Sequence, residues 1–127
     1  MSGQFERVRD HTSLQAWREA HSVTIGVIHL TRHAWRPYAA ALFSQLQRAS
    51  LSVELDIAEG YTYGNTRTFT RYLGIAYGSA VETVELLKIG LEAEVLPKHS
   101  AELLQQADLA RRLLLGLLKP RRRYPSS

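Results

Sequence analysis

Apolar residues recur at intervals of three and four along almost the whole chain, and strict alternation never persists for more than a few residues, so the pattern predicts helices and no strands. A helix over 13–34 is set by Leu14, Trp17, His21, Thr24, Ile28 and Thr31, with Thr12 and Gln15 spaced as a capping box. Ile25, Val23, Val27 and Leu30 lie partly off that stripe and predict a second apolar face. Trp35, Arg36 and Pro37 form a break, since proline suits a first helical turn. The next helix, 37–59, carries Leu42, Leu46, Ala49, Val53 and Ile57 inward; Gly60 is placed to end it in a left-handed turn, and Asn65 to cap the helix after it. A third helix over 66–92 turns Phe69, Leu73, Ala76, Ala80, Val84 and Leu87 inward. Within it Gly74 and Gly78, with Ala76, Ser79 and Ala80, predict a surface bare enough for another backbone to come close. The fourth, 98–119, has a stripe of Leu103, Ala107, Ala110, Leu114 and Leu117, widened by Leu104, Leu113 and Leu118. Pro120 is expected to stop it and release 120–127 as a tail, and the residues up to His11 read as an arm.

Four such helices joined by short turns predict an all-α fold, an antiparallel up-and-down four-helix bundle, with 1–127 as one domain. The length of 127 residues supports this, because it supplies one core and leaves no room for a second. The chain has no cysteine, which excludes disulfides and thiolate metal sites. The segment MSGQFERVRD lacks the apolar centre of a signal peptide, and no apolar run approaches the roughly 20 residues that span a bilayer, so a cytoplasmic location and no membrane partner are expected.

Candidate chemistry is sparse. No glutamate precedes a histidine at the spacing of a di-iron bundle, and neither a GxSxG elbow nor a GxxxxGK or GxGxxG loop is present. No catalytic residue and no cofactor is therefore assigned. An alternative, a metal-binding or enzymatic bundle, would use His21, His29 and His33 with the acids Glu54, Asp56 and Glu59, but no further ligand joins them at metal spacing. Glu59 and Glu82 read instead as structural, buried and bonded to a helix end or to Arg48 or Arg71.

The runs QLQRASLSVELDIAEG and TRTFTRYLGIAYGSAVETVELLKIG carry a resemblance. Through Gln45, Arg48, Ser52, Val53, Ile57, Ala58, Glu59 and Gly60, then Phe69, Leu73, Ala76, Gly78, Ser79 and Glu82, the chain resembles a bacterial family of four-helix bundles. That family includes proteins encoded in intervening sequences of large-subunit ribosomal RNA, and the likeness extends over roughly 14–118. More distantly the chain is similar to the accessory proteins of diversity-generating retroelements. Glu54 and Asp56 stand where the family usually has proline and asparagine. The resemblance implies a closed ring of subunits, a homopentamer on the pattern of the retroelement relatives, and no enzymatic activity.

Charge adds a second expectation. Up to residue 64 six basic residues balance six acidic ones, whereas after Asp108 come Arg111, Arg112, Lys119, Arg121, Arg122 and Arg123 with no acid among them. Such a block binds phosphate backbones by releasing counterions, without reading sequence. The expected function is thus a non-enzymatic oligomeric adaptor or assembly protein. Its partners are further copies of itself and, through the basic block, RNA, DNA or a nucleic-acid-processing protein.

Overall fold

A computed structural model describes residues 10–122, with side chains through Lys119. Four α-helices succeed one another: α1 Gln15–Ala34, α2 Ala40–Tyr61, α3 Arg67–Glu92 and α4 Ser100–Arg122. Short 3₁₀ turns at His11–Ser13 and Pro37–Ala39 lead into α1 and α2. Each helix packs on the helices before and after it and α1 closes against α4, while among the described residues no diagonal pair brings its backbones close, as in an antiparallel up-and-down bundle. Among the described residues there is no strand, and no helix is long and apolar enough to cross a membrane.

The core has two apolar ends. One gathers Ala16, Ile57, Phe69, Leu73, Leu114 and Leu118; the other gathers Val27, Phe43, Leu46, Val84, Leu87 and Leu96. Truncating a fully buried leucine such as Leu46 or Leu73 to alanine removes contacts worth about 2–5 kcal/mol. Between the ends lies a waist of small side chains, Ala20, Val23, Ser50, Ala80, Thr83 and Ala107 among them. The hydroxyls at this level are spent on backbone: Thr24 shares its proton between Ala20 O and, across on α2, Ser50 O (both 3.0 Å), and Thr83 donates to Ser79 O (2.8 Å) within α3. Burying a hydroxyl without such an acceptor would cost about 1–3 kcal/mol.

The inward stripe of α3 is the expected one, every member of it buried. That of α1 is rotated. Ala16, Ala20, Val23, Thr24, Val27 and Thr31 face the core, while His21 and Ile28 are exposed and Leu14 and Trp17 only half-buried. Small residues at Ala16 and Ala20 let α1 approach its neighbours closely, so the bulkier stripe is left on the flank. Of the fourth helix, Ala107, Ala110, Leu114 and Leu118 are buried, with Leu103, Leu104, Leu113 and Leu117 half-buried around them.

Helix ends correct several expectations. Thr12 and Gln15 form no capping box; Asp10 caps the 3₁₀ turn, its carboxylate accepting from Thr12 N (3.0 Å). Gly60 does not end α2 in a left-handed turn. It sits buried inside the helix, where a Cβ would lie 2.4 Å from Tyr72 Cβ, so glycine is needed there for the close approach of α3. Gly64 takes the positive φ of 67° instead, and Thr66, not Asn65, caps α3 by accepting from Phe69 N (3.3 Å). Gly78 is exposed with open space about it, so within one chain it is not a close-packing position. Pro120 does not stop α4, which runs on to Arg122. A proline φ is itself helical, and in a last turn it deletes a single hydrogen bond. Residues 1–9, most of the expected arm, lie outside the described residues.

Helix α3 ends in a Schellman motif. Glu94 N donates to Leu91 O (3.1 Å) and Val95 N to Gly90 O (2.9 Å), with Glu94 itself at φ 59°. A side chain in that left-handed region costs roughly 1–2 kcal/mol, which glycine avoids. Replacing Glu94 by glycine is therefore expected to raise stability by about 1 kcal/mol, read as an upward shift in the denaturant midpoint. Gly60→Ala, by contrast, is expected to lower that midpoint by more than the equivalent of about 1 kcal/mol, since backbone-proximal atoms of Tyr72 must move to admit the methyl group.

Candidate interaction surfaces

The residues of the SVELDIAEG and IAYGS segments meet along the α2–α3 seam. Ser52 donates to Asp56 (2.9 Å), so the contact between the Ser52 and Ser79 hydroxyls (3.0 Å) takes its proton from Ser79. Toward one end of the seam Arg48 pairs with Glu82 and also donates to Gln45 Oε1 (2.8 Å). Toward the other, the Tyr72 hydroxyl donates to Glu59 (2.9 Å) and its ring stacks on Tyr63. Of the two partners expected for these acids, Arg48 is found at Glu82. Glu59 takes Tyr72 rather than an arginine, and neither carboxylate is buried. Ile57 and Gly60 point into the core, Ala58 is half-buried, and Gly74 is half-buried one turn before Gly78.

Two further acids of α2, Asp56 and Glu54, are both engaged. Asp56 holds Ser52 as above; Glu54 reaches across to α1, where His21 Nδ1 donates to it (3.0 Å) and the imidazole stacks on Trp17. Neither acid forms part of a cluster, and among the described residues no three His, Asp or Glu side chains converge as metal ligands do. His29 and His33 are joined differently, His33 Nδ1 donating to His29 O (2.8 Å) along the helix.

Outside the seam the bundle exposes an apolar belt. Leu51 and Leu55 stand one turn apart on the outer side of α2, 44% and 53% exposed. Ile75, 51% exposed, faces Leu55 across the seam, because Ser52–Ser79 and Glu59–Tyr72 bracket the two at one level. Ile25 lies beside Leu51 on the α1 side, next to the Thr24–Ser50 bond, and Ile28 stands one turn on. The belt thus wraps around α2. Sequence reasoning placed the surplus apolar surface on the first and fourth helices, and it missed Leu51, Leu55 and Ile75; their spacing beside the Val53–Ile57 stripe was the available signal.

The basic block is only partly free. Arg111 and Arg112 both grip Asp108, from Arg111 Nε (2.8 Å) and Arg112 Nε (3.1 Å). Asp108 foremost, and the Tyr77 hydroxyl of α3 after it, raise the pKa of Arg111. Lys119 is exposed. The backbone at Arg121 and Arg122 continues α4, while the side chains of those two residues and all of Arg123 lie outside the described residues.

An open groove of about 890 Å³ runs between the outer sides of α1 and α4. His29, His33 and Arg36 line it from α1 and the turn beyond, and His99, Ser100 and Arg112 from α4 and its approach. Its apolar wall is Leu30, Leu103 and Leu109, with Gln105 and Gln106 beside them. Arg36 and His99, far apart in the chain, gave no sequence signal of meeting at one groove.

A four-helix bundle with a polar α2–α3 seam and, among the described residues, no convergent ligand set defines a small helical protein of a known class. The model of the 23S rRNA-intervening sequence protein family matches residues 12–116, and the chain belongs to this family. A crystal structure of a protein of unknown function from the S23 ribosomal protein family of Bacteroides thetaiotaomicron superposes with a TM-score of 0.75. It is 17% identical, and the match covers 82% of this chain and 98% of that one, a likeness of fold. No match is found among proteins of curated function.

Two titrations check the seam and the basic block. The Glu59 carboxylate, foremost, pushes the Tyr72 phenol up to about 12. A raised folded value means that this contribution is complete below the ordinary tyrosine value near 10 and is lost as pH rises through about 12. Tyrosine ring-carbon NMR is expected to show one such late titration, returned toward the ordinary range in E59Q. Asp108 is held below the ordinary carboxylate range, first by the Arg111 hydrogen bond. Its contribution is present above about pH 4 and lost as pH falls, so R111Q is expected to flatten the acid limb of the stability profile.

Proposed function

We propose that this protein is a non-enzymatic assembly protein of the cytoplasm whose apolar belt closes copies of the chain into a homopentameric ring. The ring presents the C-terminal basic block to RNA, DNA or a protein that processes nucleic acid. The belt carries the reading: Ile25, Ile28, Leu51, Leu55 and Ile75 are each more than two-fifths exposed and lie on adjoining helices. Exposed apolar side chains grouped in this way on a small bundle mark an interface, because covering them recovers about 25 cal/mol for each Å² removed from water. Gly78, open and one turn beyond Ile75, gives a neighbouring subunit room for close approach. Five is the subunit number that the resemblance to the retroelement accessory proteins implies, and self-assembly also agrees with the small-residue surface expected from Gly74 and Gly78.

Repetition of the basic block around a ring turns weak phosphate contacts into useful ones through effective concentration. With Arg111 and Arg112 partly neutralised by Asp108, Lys119, Arg121, Arg122 and Arg123 carry most of that attraction. Base stacking adds little, so the contact discriminates weakly between sequences and falls steeply with salt.

Light scattering coupled to size exclusion at micromolar protein is expected to give a mass near five times 14.4 kDa. The double variant L55E and I75E is expected to run as a folded monomer with unchanged helical circular dichroism, as both side chains lie outside the core. A wild-type species of 14.4 kDa would sink the assembly. The variant K119Q/R121Q/R122Q/R123Q is expected to lose about tenfold or more in affinity for a mixed-sequence oligonucleotide at low salt while keeping the wild-type mass. Unaltered binding would show the block to be a solubility feature.

A further inference from the structure

We propose that the groove between α1 and α4 is a nucleotide site. It takes a phosphate at the end where α1 finishes and α4 begins, and a base and sugar along the leucine wall. The reading rests on the groove's own chemistry, into which Arg112 alone of the basic block enters, and not on ring assembly. Two arginines and three histidines line the groove beside one carboxylate, Glu102, so its walls are rich in N–H donors for an anion. Three of the basic groups are gathered at one end. His33 and Arg36 bound the C-terminal end of α1, and His99 stands just before the first residue of α4.

Their donors are available. His33 spends Nδ1 on His29 O (2.8 Å), which leaves Nε2 for a ligand. Arg36 spends NH1 on Trp35 O (2.8 Å), which fixes the guanidinium at the rim while its NH2 and Nε edge keeps a pair of N–H groups of the kind that bind phosphate bidentately. At the same end lies Ser100, 2% exposed, whose hydroxyl is the buried side-chain polar atom with no hydrogen-bond partner among the described residues. Buried hydroxyls are ordinarily satisfied, and one staggered rotation about its Cα–Cβ bond redirects this one. A phosphate oxygen at this end would supply the missing acceptor.

The rest of the groove distinguishes a nucleotide from a bare phosphate. Leu30, Leu103 and Leu109 form an apolar wall against which a base face can lie, and Gly26 keeps the wall low, since a Cβ there would meet Leu103 Cδ1 at 2.8 Å. Gln105 and Gln106 each bring an amide that can both donate to and accept from a base edge. Arg112, held by Asp108 through Nε, extends to the far end with its terminal nitrogens free of that bond. The volume of about 890 Å³ lies within the range of small-molecule sites.

Isothermal titration calorimetry on the full chain at about 100 mM salt tests the site, with adenosine 5′-monophosphate, inorganic phosphate, a short single-stranded RNA and an oligoglutamate peptide as probes. The nucleotide is expected to bind saturably, and inorganic phosphate at least about tenfold more weakly. R36Q and H33Q are each expected to weaken the nucleotide by about tenfold with helical content and melting unchanged. K119Q/R121Q/R122Q/R123Q is expected to leave nucleotide binding as it is, which separates this site from the basic block. Competition then identifies the source of the nucleotide: displacement by the RNA places a strand in the groove, and its failure leaves a free nucleotide as the ligand. Absence of nucleotide binding, equal affinity for inorganic phosphate, indifference to R36Q and H33Q, or preference for the peptide would each overturn the proposal.

Discussion

The bundle is governed at its middle by how little side chain is available there. Where Ala20, Ser50, Ala80, Thr83 and Ala107 meet, nothing larger than valine separates the helices, and the backbones must come close. Close backbones bring the next constraint, because the hydroxyls in this layer have no water to turn to. Thr24 and Thr83 therefore bond to main-chain carbonyls, and the Thr24 bond to Ser50 fixes the register of α1 on α2. With that register set, Phe43 and Leu46 fall into one apolar end and Ile57 into the other. The waist thus positions both halves of the core, and with them the outer faces on which Leu55, Ile75 and His33 lie.

Much of this was legible in the sequence, for a definite reason. Helical period depends only on the local alternation of large apolar and polar residues, and α3 shows it cleanly from Phe69 to Leu87. The rotation of α1 was not legible, since alanines at 16 and 20 carry little hydrophobic signal beside Leu14, Trp17 and Ile28, although packing favours them. Glycine is ambiguous in the same way. It serves both at left-handed turns and at close approaches, and nothing local says that Gly60 does the second while Gly64 does the first. At the surfaces, the Arg48–Glu82 pair could be expected from charge alone. The Tyr72 hydroxyl at Glu59 and the meeting of Arg36 with His99 depend on tertiary proximity, which spacing does not encode.

Glu54 and Asp56 show how carboxylates on one helix are taken up by the rest of the fold. Each carboxylate has a donor positioned by the fold, His21 on α1 for Glu54 and Ser52 a turn earlier for Asp56. Both contacts are partly solvated, so they contribute modestly, as exposed pairs usually do. Their larger effect is alignment, because Glu54 ties α2 to α1 while Ser52, held by Asp56, ties it to α3 through Ser79.

The helical backbone of α4 sets the character of the positive charge that Arg112 and Lys119 carry. A loose tail presents charge as a cloud that any polyanion can enter from any direction. A helix presents it as marks on a rod: Arg112 and Lys119, seven residues apart, fall on nearly the same face with a spacing of about 10 Å. Whatever meets that end of the bundle meets a fixed interval and a fixed heading. A rigid counterpart is then selected by whether its own charges keep step with the helix, whereas a flexible one must give up chain entropy to do so.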